Sequence, residues 1–132
     1  MGLVAIVLAA AVGAHALSGA SKVNVILATK SKPFDLTPTP ARAGKGKVTF
    51  VVSNKGVGLD HEFVVLKTNL PPTKLKVKGS KAVETGRVGK LLPLKPGQTK
   101  TLTLTLAPGK YVLICNLPGH YKAGQRAAFR VG

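Results

Sequence analysis

Residues 110–125 read Lys-Tyr-Val-Leu-Ile-Cys-Asn-Leu-Pro-Gly-His-Tyr-Lys-Ala-Gly-Gln. The first six are mostly apolar, as in a buried strand, and the rest form a loop with proline and glycine. Between Cys115 and Gln125 lie the only cysteine of the chain, one of its three histidines, His120, and an amide side chain. Thiolate and imidazole groups bind metal ions, so this stretch predicts a metal site at the end of a strand.

A second imidazole completes the predicted ligand set. Of the other two histidines, His15 lies in an apolar leader, which leaves His61 near the start of another apolar run. Two histidines and one cysteine, with a weak axial Met, Gln or backbone oxygen, are typical of a mononuclear type 1 copper site. We therefore predict one copper ion bound by His61, Cys115 and His120, with Gln125 as axial ligand. The alternative for Gln125 is a solvent-facing side chain above a three-coordinate site.

Turns in the chain allow these distant residues to converge. His61 begins one predicted strand and Cys115 ends another, so both can lie at the same edge of a β-sandwich. Gly119, which follows a proline, bends the loop so that His120 can point toward the thiolate. Gly124 allows a second bend, which brings the following residue over the metal.

The composition favours a single all-β domain. The 132 residues, of 13.6 kDa and 45% hydrophobic, suffice for one core and not for two ordinary domains. Fifteen Gly and nine Pro separate short runs of Val, Leu and Thr, which is typical of strands joined by tight turns. We predict an antiparallel Greek-key β-sandwich of about seven to eight strands. The strands are placed at residues 22–29, 47–54, 62–67, 86–94, 99–106, 110–115 and 126–131. Residues 31–40 are expected to be an irregular crossing segment, and residues 68–84 a long excursion or a short helix.

The amino-terminal segment predicts export. Residues 2–16 form an apolar run that ends in Ala-His-Ala, an A-x-A pattern suited to signal peptidase. We divide the chain into a signal peptide (1–16), a short linker (17–21) and a domain (22–132), and expect a periplasmic or secreted protein. The run is shorter than the roughly 20 residues of a spanning helix, and it lacks a charged start. An uncleaved leader that anchors the protein and a buried first strand are the alternatives.

The charge is strongly positive. Twenty Lys and Arg against four Asp and Glu give a formal net charge of +16. Such a field accelerates encounter with acidic proteins, or peripheral association with an anionic membrane surface, and salt screens it. Aromatic residues are only 5% of the chain, so no stacking platform for bases accompanies the charge. We do not expect nucleic-acid binding.

The spacing Cys-x4-His-x4-Gln, formed by Cys115, His120 and Gln125, resembles the ligand loop of small cupredoxins, the type 1 blue-copper proteins. His61, which begins a strand after a Gly-rich turn, is similar to the upstream ligand of that family. The Thr-rich strand followed by Pro-Gly and Tyr-x3-Cys is also similar. The resemblance extends from about residue 22 onward. It implies an extracytoplasmic, monomeric electron carrier, not an enzyme, that cycles one copper ion between Cu(II) and Cu(I) with redox protein partners.

Two positions depart from the common cupredoxin pattern. Gln125 stands where methionine is usual, as in the stellacyanin-like branch, and an oxygen ligand implies a lower reduction potential. Glu62 follows the first histidine where many relatives have an Asn that ties the ligand loops together by hydrogen bonds. Asp60 and Glu62 either tune the imidazole of His61 or are the solvated ends of a turn, and the sequence leaves both interpretations open.

Partner approach is expected at His120, which would act as the electron gate. Leu117, Pro118 and Tyr121 are predicted to form an apolar collar around it. Lys122 and the other lysines favour an acidic partner and weak, fast, salt-sensitive encounters.

Other functions fit the sequence less well. Ile114 and Asn116 flank Cys115 where a multicopper oxidase has histidines, and one cysteine excludes a dinuclear purple-copper site. A copper chaperone or storage protein commonly has Met or His clusters, which the chain lacks after the leader. A metal-free interaction sandwich is the third class, because a lone cysteine is often a small buried hydrophobe. Zinc ranks below copper, since only Gln125 or a neighbouring carboxylate could provide its fourth ligand.

Overall fold

The computed structural model describes residues 20–132, so the predicted signal peptide and most of the predicted linker lie outside the described residues. One short 3-10 turn, Pro72–Lys74, is the only helical element among residues 20–132, and no helix there is long and apolar enough to cross a membrane. The strands are β1 (Ser21–Thr29), β2 (Leu36–Thr39), β3 (Arg42–Ala43), β4 (Gly46–Lys55), β5 (His61–Lys67), β6 (Val77–Lys78), β7 (Lys81–Ala82), β8 (Arg87–Leu94), β9 (Thr99–Leu106), β10 (Gly109–Ile114) and β11 (Arg126–Val131).

Two sheets form a sandwich, which confirms the predicted fold class. The four-stranded sheet has the order β2-β1-β4-β9, and the five-stranded sheet has the order β3-β11-β10-β5-β8. Strands β6 and β7 form a separate hairpin. The seven strands of six or more residues coincide with the seven predicted strands to within one residue at each end.

The main core lies between the two sheets and follows from the alternation of apolar and polar residues. In β4, the inward-facing Val48, Phe50 and Val52 are buried. The ring of Phe50 packs against those of Phe63 and Phe129, with centroid distances of 5.3 and 5.4 Å. The three leucines of β9 also face this core, as predicted.

Strand β5 is buried on both faces. Val65 belongs to the main core, whereas Val64 belongs to a second apolar cluster on the outer face of the five-stranded sheet. Residues 68–86, here called the excursion, contribute buried side chains to that second cluster. By strand alternation Glu62 shares the face of Val64, so it lies on the same side of the sheet as the excursion.

Several features differ from the sequence prediction. The sheets are mixed and not purely antiparallel, because β1 pairs in parallel with β4 and β11 with β3. The chain between β1 and β4 returns to the same end of the sheet, which parallel pairing requires. Residues 31–40, expected to be irregular, contain β2, an edge strand where the missing N–H of Pro38 is tolerated. The excursion contains the 3-10 turn and the β6-β7 hairpin.

Candidate metal centre

His61 is the first residue of β5, and its side chain is buried, with 1% exposure. The loop before it is organised by buried Asn54, whose Nδ2 donates to the carbonyl oxygens of Leu59 (3.0 Å) and Leu94 (2.9 Å). The Asn54 Oδ1 accepts a hydrogen bond from the N–H of Gly56 (3.0 Å). A Cβ on Gly56 would lie 3.7 Å from His61 Nε2 and only 2.9 Å from its nearest neighbour atom. The glycine is therefore needed for close packing behind the imidazole.

The loop after β10 carries the other predicted ligands. The Cys115 N–H donates to the carbonyl oxygen of Gln125 (3.1 Å), which joins the two ends of the loop. Gly119 and Gly124 have φ angles of +81° and +110°, a region that glycine adopts without a Cβ clash. The Gln125 N–H donates to the carbonyl oxygen of His120 (3.1 Å). Both predicted bends are thus present, and they return His120 to the thiol.

His61, Cys115 and His120 converge on one point. The Cys115 Sγ lies 3.4 Å from His120 Nδ1 and 4.0 Å from His61 Nδ1, and the two Nδ1 atoms are 3.2 Å apart. In zinc sites the bonds are about 2.0 Å to nitrogen and about 2.3 Å to sulfur, so two ligands of one such ion lie at most about 4.3 Å apart. All three separations meet this limit. The donor set, one soft thiolate and two imidazoles, fits a single type 1 copper ion.

Gln125 is fully buried, which rules out the solvent-facing alternative for its side chain. Its Nε2 donates to the carbonyl oxygen of Asp35 (3.1 Å), and this contact orients the amide. Within residues 20–132 its Oε1 makes no hydrogen bond of good geometry, although the amide is close enough to His61 to raise the pKa of that imidazole. A buried acceptor without a partner costs about 1–3 kcal/mol, and a bound metal ion would satisfy it.

Burial changes the acid–base properties of the ligands. Desolvation, followed by the charge of His120, lowers the pKa of His61, while Gln125 and Asp60 act in the opposite direction. Desolvation also raises the pKa of the Cys115 thiol to about 11. Because metal ligands must be deprotonated, metal binding has to displace the thiol proton.

The two carboxylates beside His61 lie in opposite environments. Asp60 is exposed, whereas Glu62 is 3% exposed. The backbone N–H of Glu62 donates to Cys115 Sγ (3.3 Å), so the residue after the first ligand contacts the second. Asp60 is therefore solvated, yet its charge still raises the pKa of His61, whereas Glu62 is not a solvated end of a turn.

Asn116, which the sequence analysis considered only as a non-histidine, connects the ligand loop to the excursion. Its Oδ1 accepts from the N–H of Ala82 (2.9 Å), and its Nδ2 donates to the Ala82 carbonyl oxygen (2.9 Å) and to Glu84 Oε2 (2.9 Å). The Gly119 N–H donates to the carbonyl oxygen of Ser80 (2.8 Å). An Asn immediately after the cysteine thus ties this loop down, the role that the family pattern gives to an Asn after the first histidine.

The site reaches the surface at His120, the only one of the three clustered residues that is not buried. Phe34 packs edge-on against its ring, with a centroid distance of 5.1 Å. This contact is not evident from the sequence, because Phe34 lies in a segment expected to be irregular. Of the predicted collar, Pro118 is exposed and Leu117 is half-buried. The prediction for Tyr121 is wrong, since it is buried and its hydroxyl hydrogen-bonds to the backbone of the excursion.

Comparison with known proteins supports the fold. No protein-family model matches the chain, and no curated protein matches it in sequence. Among solved structures, the chain is similar to a reduced auracyanin from the photosynthetic bacterium Roseiflexus castenholzii, with a TM-score of 0.62 and 23% identity over 86% of this chain and 99% of that chain. It is also similar to rusticyanin from Thiobacillus ferrooxidans, with a TM-score of 0.64 and 20% identity over 86% and 77%. Auracyanin B gives a TM-score of 0.61 and 21% identity over 85% and 88%. These proteins are cupredoxins, so the predicted resemblance is confirmed for the fold.

Proposed function

We propose that this protein is an extracytoplasmic electron carrier with one type 1 copper ion bound by His61, Cys115 and His120. The observation behind the proposal is the convergence of the only cysteine with the only two histidines outside the leader, with Sγ and Nδ1 atoms 3.2 to 4.0 Å apart. The fold shared with rusticyanin, one of whose structures is described as that of a copper protein, supports the choice of metal. When bound, copper supplies one-electron exchange between Cu(II) and Cu(I), and no substrate is turned over.

The protein's own contribution is to keep the ligands in place. His61 is fixed by the sheet and by the Asn54 hydrogen bonds, and Cys115 is fixed by hydrogen bonds from its own N–H and to its Sγ. A ligand set that does not rearrange suits a site that changes oxidation state. Gly56 packs closely beside the His61 imidazole, which is 1% exposed.

Gln125 is proposed as the axial ligand through Oε1. Support comes from its complete burial and from the missing hydrogen-bond partner of that oxygen. An amide oxygen favours Cu(II) more than a thioether does, so the reduction potential is expected to be low for a cupredoxin.

The redox partner is proposed to be an acidic protein that approaches at His120. Lys122 is exposed two residues after it. The excursion, which hydrogen-bonds to the ligand loop, adds four exposed lysines: Lys74, Lys76, Lys78 and Lys81. Positive charges around a contact point increase the rate of association with a negatively charged partner at low salt. We expect faster electron exchange with a small anionic redox reagent than with a cationic one, and this ratio should fall as salt increases.

Voltammetry of the purified protein after addition of Cu(II) tests the proposed function. Wild-type protein should show a reversible one-electron couple, and Cys115→Ser should lose it because the thiolate is removed. Ser53→Ala, a matched change away from the ligands, should keep the couple. An irreversible response, or a couple that survives in Cys115→Ser, would contradict the carrier function. Mass measurement of the exported protein tests whether the leader is removed.

A further inference from the structure

A buried carboxylate belongs to the residue whose backbone N–H contacts the cysteine sulfur. The chain has only four acidic residues against twenty basic ones, yet one of the four, Glu62, is 3% exposed. Its Oε1 has no hydrogen-bond partner among the described residues. Burial of a carboxylate is unfavourable unless the charge is paired, so the Glu62 carboxylate needs a cationic neighbour.

That partner is Lys90 on β8. Its Nζ lies 3.5 Å from Glu62 Oε2 and 3.9 Å from Glu84 Oε2. Glu84 Oε2 in turn accepts a hydrogen bond from Asn116 Nδ2 (2.9 Å). A chain of charged and polar groups therefore runs from the residue after the first histidine ligand to the residue after Cys115.

The same network lies close to the ligand sulfur. The backbone N–H of Glu62 contacts Cys115 Sγ at 3.3 Å, while its side chain is on the face of β5 that packs under the excursion. Apolar neighbours such as Val64 and Ile114 surround this face, so a charge there is less screened than one at the surface. Asp60, one residue before His61, is exposed and offers a natural comparison.

We propose that Glu62 and Lys90 are positioning residues that set the reduction potential of the site with opposite signs. The anionic Glu62 favours the more positive, oxidised state of the metal centre, and the Lys90 ammonium partly cancels it. This inference rests on the proposed function, because it assumes a redox-active metal at His61, Cys115 and His120.

The midpoint potential of the copper-loaded protein tests this inference, measured for Glu62→Gln, Lys90→Gln and wild type. Glu62→Gln should raise the potential and Lys90→Gln should lower it, each changing the equilibrium constant with a reference couple by on the order of tenfold. Asp60→Asn is the matched control, because it removes the same charge beside the same ligand from an exposed position. Its effect should be smaller and should disappear at high salt.

Unfolding temperatures of the metal-free variants distinguish this role from a purely structural one. A structural role lowers the stability of both variants without opposite shifts in potential. Shifts of the same sign, or no shift in Glu62→Gln, would overturn the inference. If Glu62→Gln does not fold, the sign of the potential shift in Lys90→Gln tests the inference instead. The Lys90 side chain is 29% exposed, so its replacement should be tolerated. If the proposed function itself is wrong, the wild-type protein shows no reversible couple, and this result is distinct from those of the variants.

Discussion

The two histidines of the site belong to different kinds of structure. His61 begins a central strand, is buried, and has a loop behind it that Asn54 holds with three hydrogen bonds. His120 lies in a turn-rich loop, is only half-buried, and has Phe34 against its ring. One ligand is thus part of the core of the domain, and the other lies between the core and solvent.

This difference indicates a division of roles at the site. The buried histidine defines where the ligand set is, because its position follows from the sheet. The half-buried histidine provides the contact with the outside, because only its ring is accessible to a partner. Removal of the His61 imidazole and removal of the His120 imidazole should therefore have different consequences, although both are proposed to bind the metal through nitrogen.

The largest effect is expected from removing each imidazole. His61→Gly and His120→Gly should both lose the intense visible band of the copper-loaded protein. Added imidazole should restore it in His120→Gly, because the cavity opens to solvent, and should fail in His61→Gly, because that cavity is enclosed. Absorption spectra over an imidazole titration provide the measurement. Equal rescue of the two variants would show that the distinction is wrong.

A second prediction concerns the anchoring of His61. Asn54→Ala removes three side-chain hydrogen bonds, two of them buried, and should lower the free energy of unfolding by about 2–4 kcal/mol. Asn24→Ala, an exposed position on β1, should change it by less than about 0.5 kcal/mol. Denaturant unfolding of the metal-free proteins measures both. Equal stability of the two variants would mean that the loop before His61 does not depend on Asn54.

Gln125 is the proposed axial ligand, and a change of its side chain tests that role through the reduction potential. Gln125→Met should raise the midpoint potential, because a thioether favours Cu(II) less than an amide oxygen. Gln98→Met makes the same chemical change at an exposed site and should leave the potential unchanged. An unchanged potential in Gln125→Met would argue against axial coordination.

The smallest effect is expected at Phe34, the aromatic neighbour of the half-buried His120. Phe34→Ala removes the edge contact with the His120 ring and should cost about 0.5–1.5 kcal/mol of stability. The visible band should persist, because the ligands stay in place. Thermal unfolding and the absorption spectrum of the same sample give both quantities. Loss of the band would mean that Phe34 is needed to hold His120 at the metal.

The strands and turns that local sequence patterns determine are predicted correctly. The alternation in β9 and the Val-rich run of β4 follow from period-two burial, and the bends at Gly119 and Gly124 follow from residue type. The convergence of His61 with Cys115 was predicted because strand ends share an edge of the sandwich.

The failures concern contacts between segments that are distant in sequence. The burial of Glu62 cannot be predicted from the local sequence because it depends on the excursion, and the same holds for the burial of Tyr121. Strand β2 was missed because its three-proline neighbourhood looks irregular until β1 provides a partner. The loop-tying role of Asn116 depends on Ala82 and Glu84, which the local sequence does not reveal.

The proposed function depends on one copper ion bound by the thiolate of Cys115 together with His61 and His120. Titration of the purified protein with Cu(II), followed by visible absorption, tests it most directly. An intense thiolate-to-copper charge-transfer band should grow linearly with added Cu(II) and stop at one equivalent. A colourless adduct, or no uptake of copper, would contradict it.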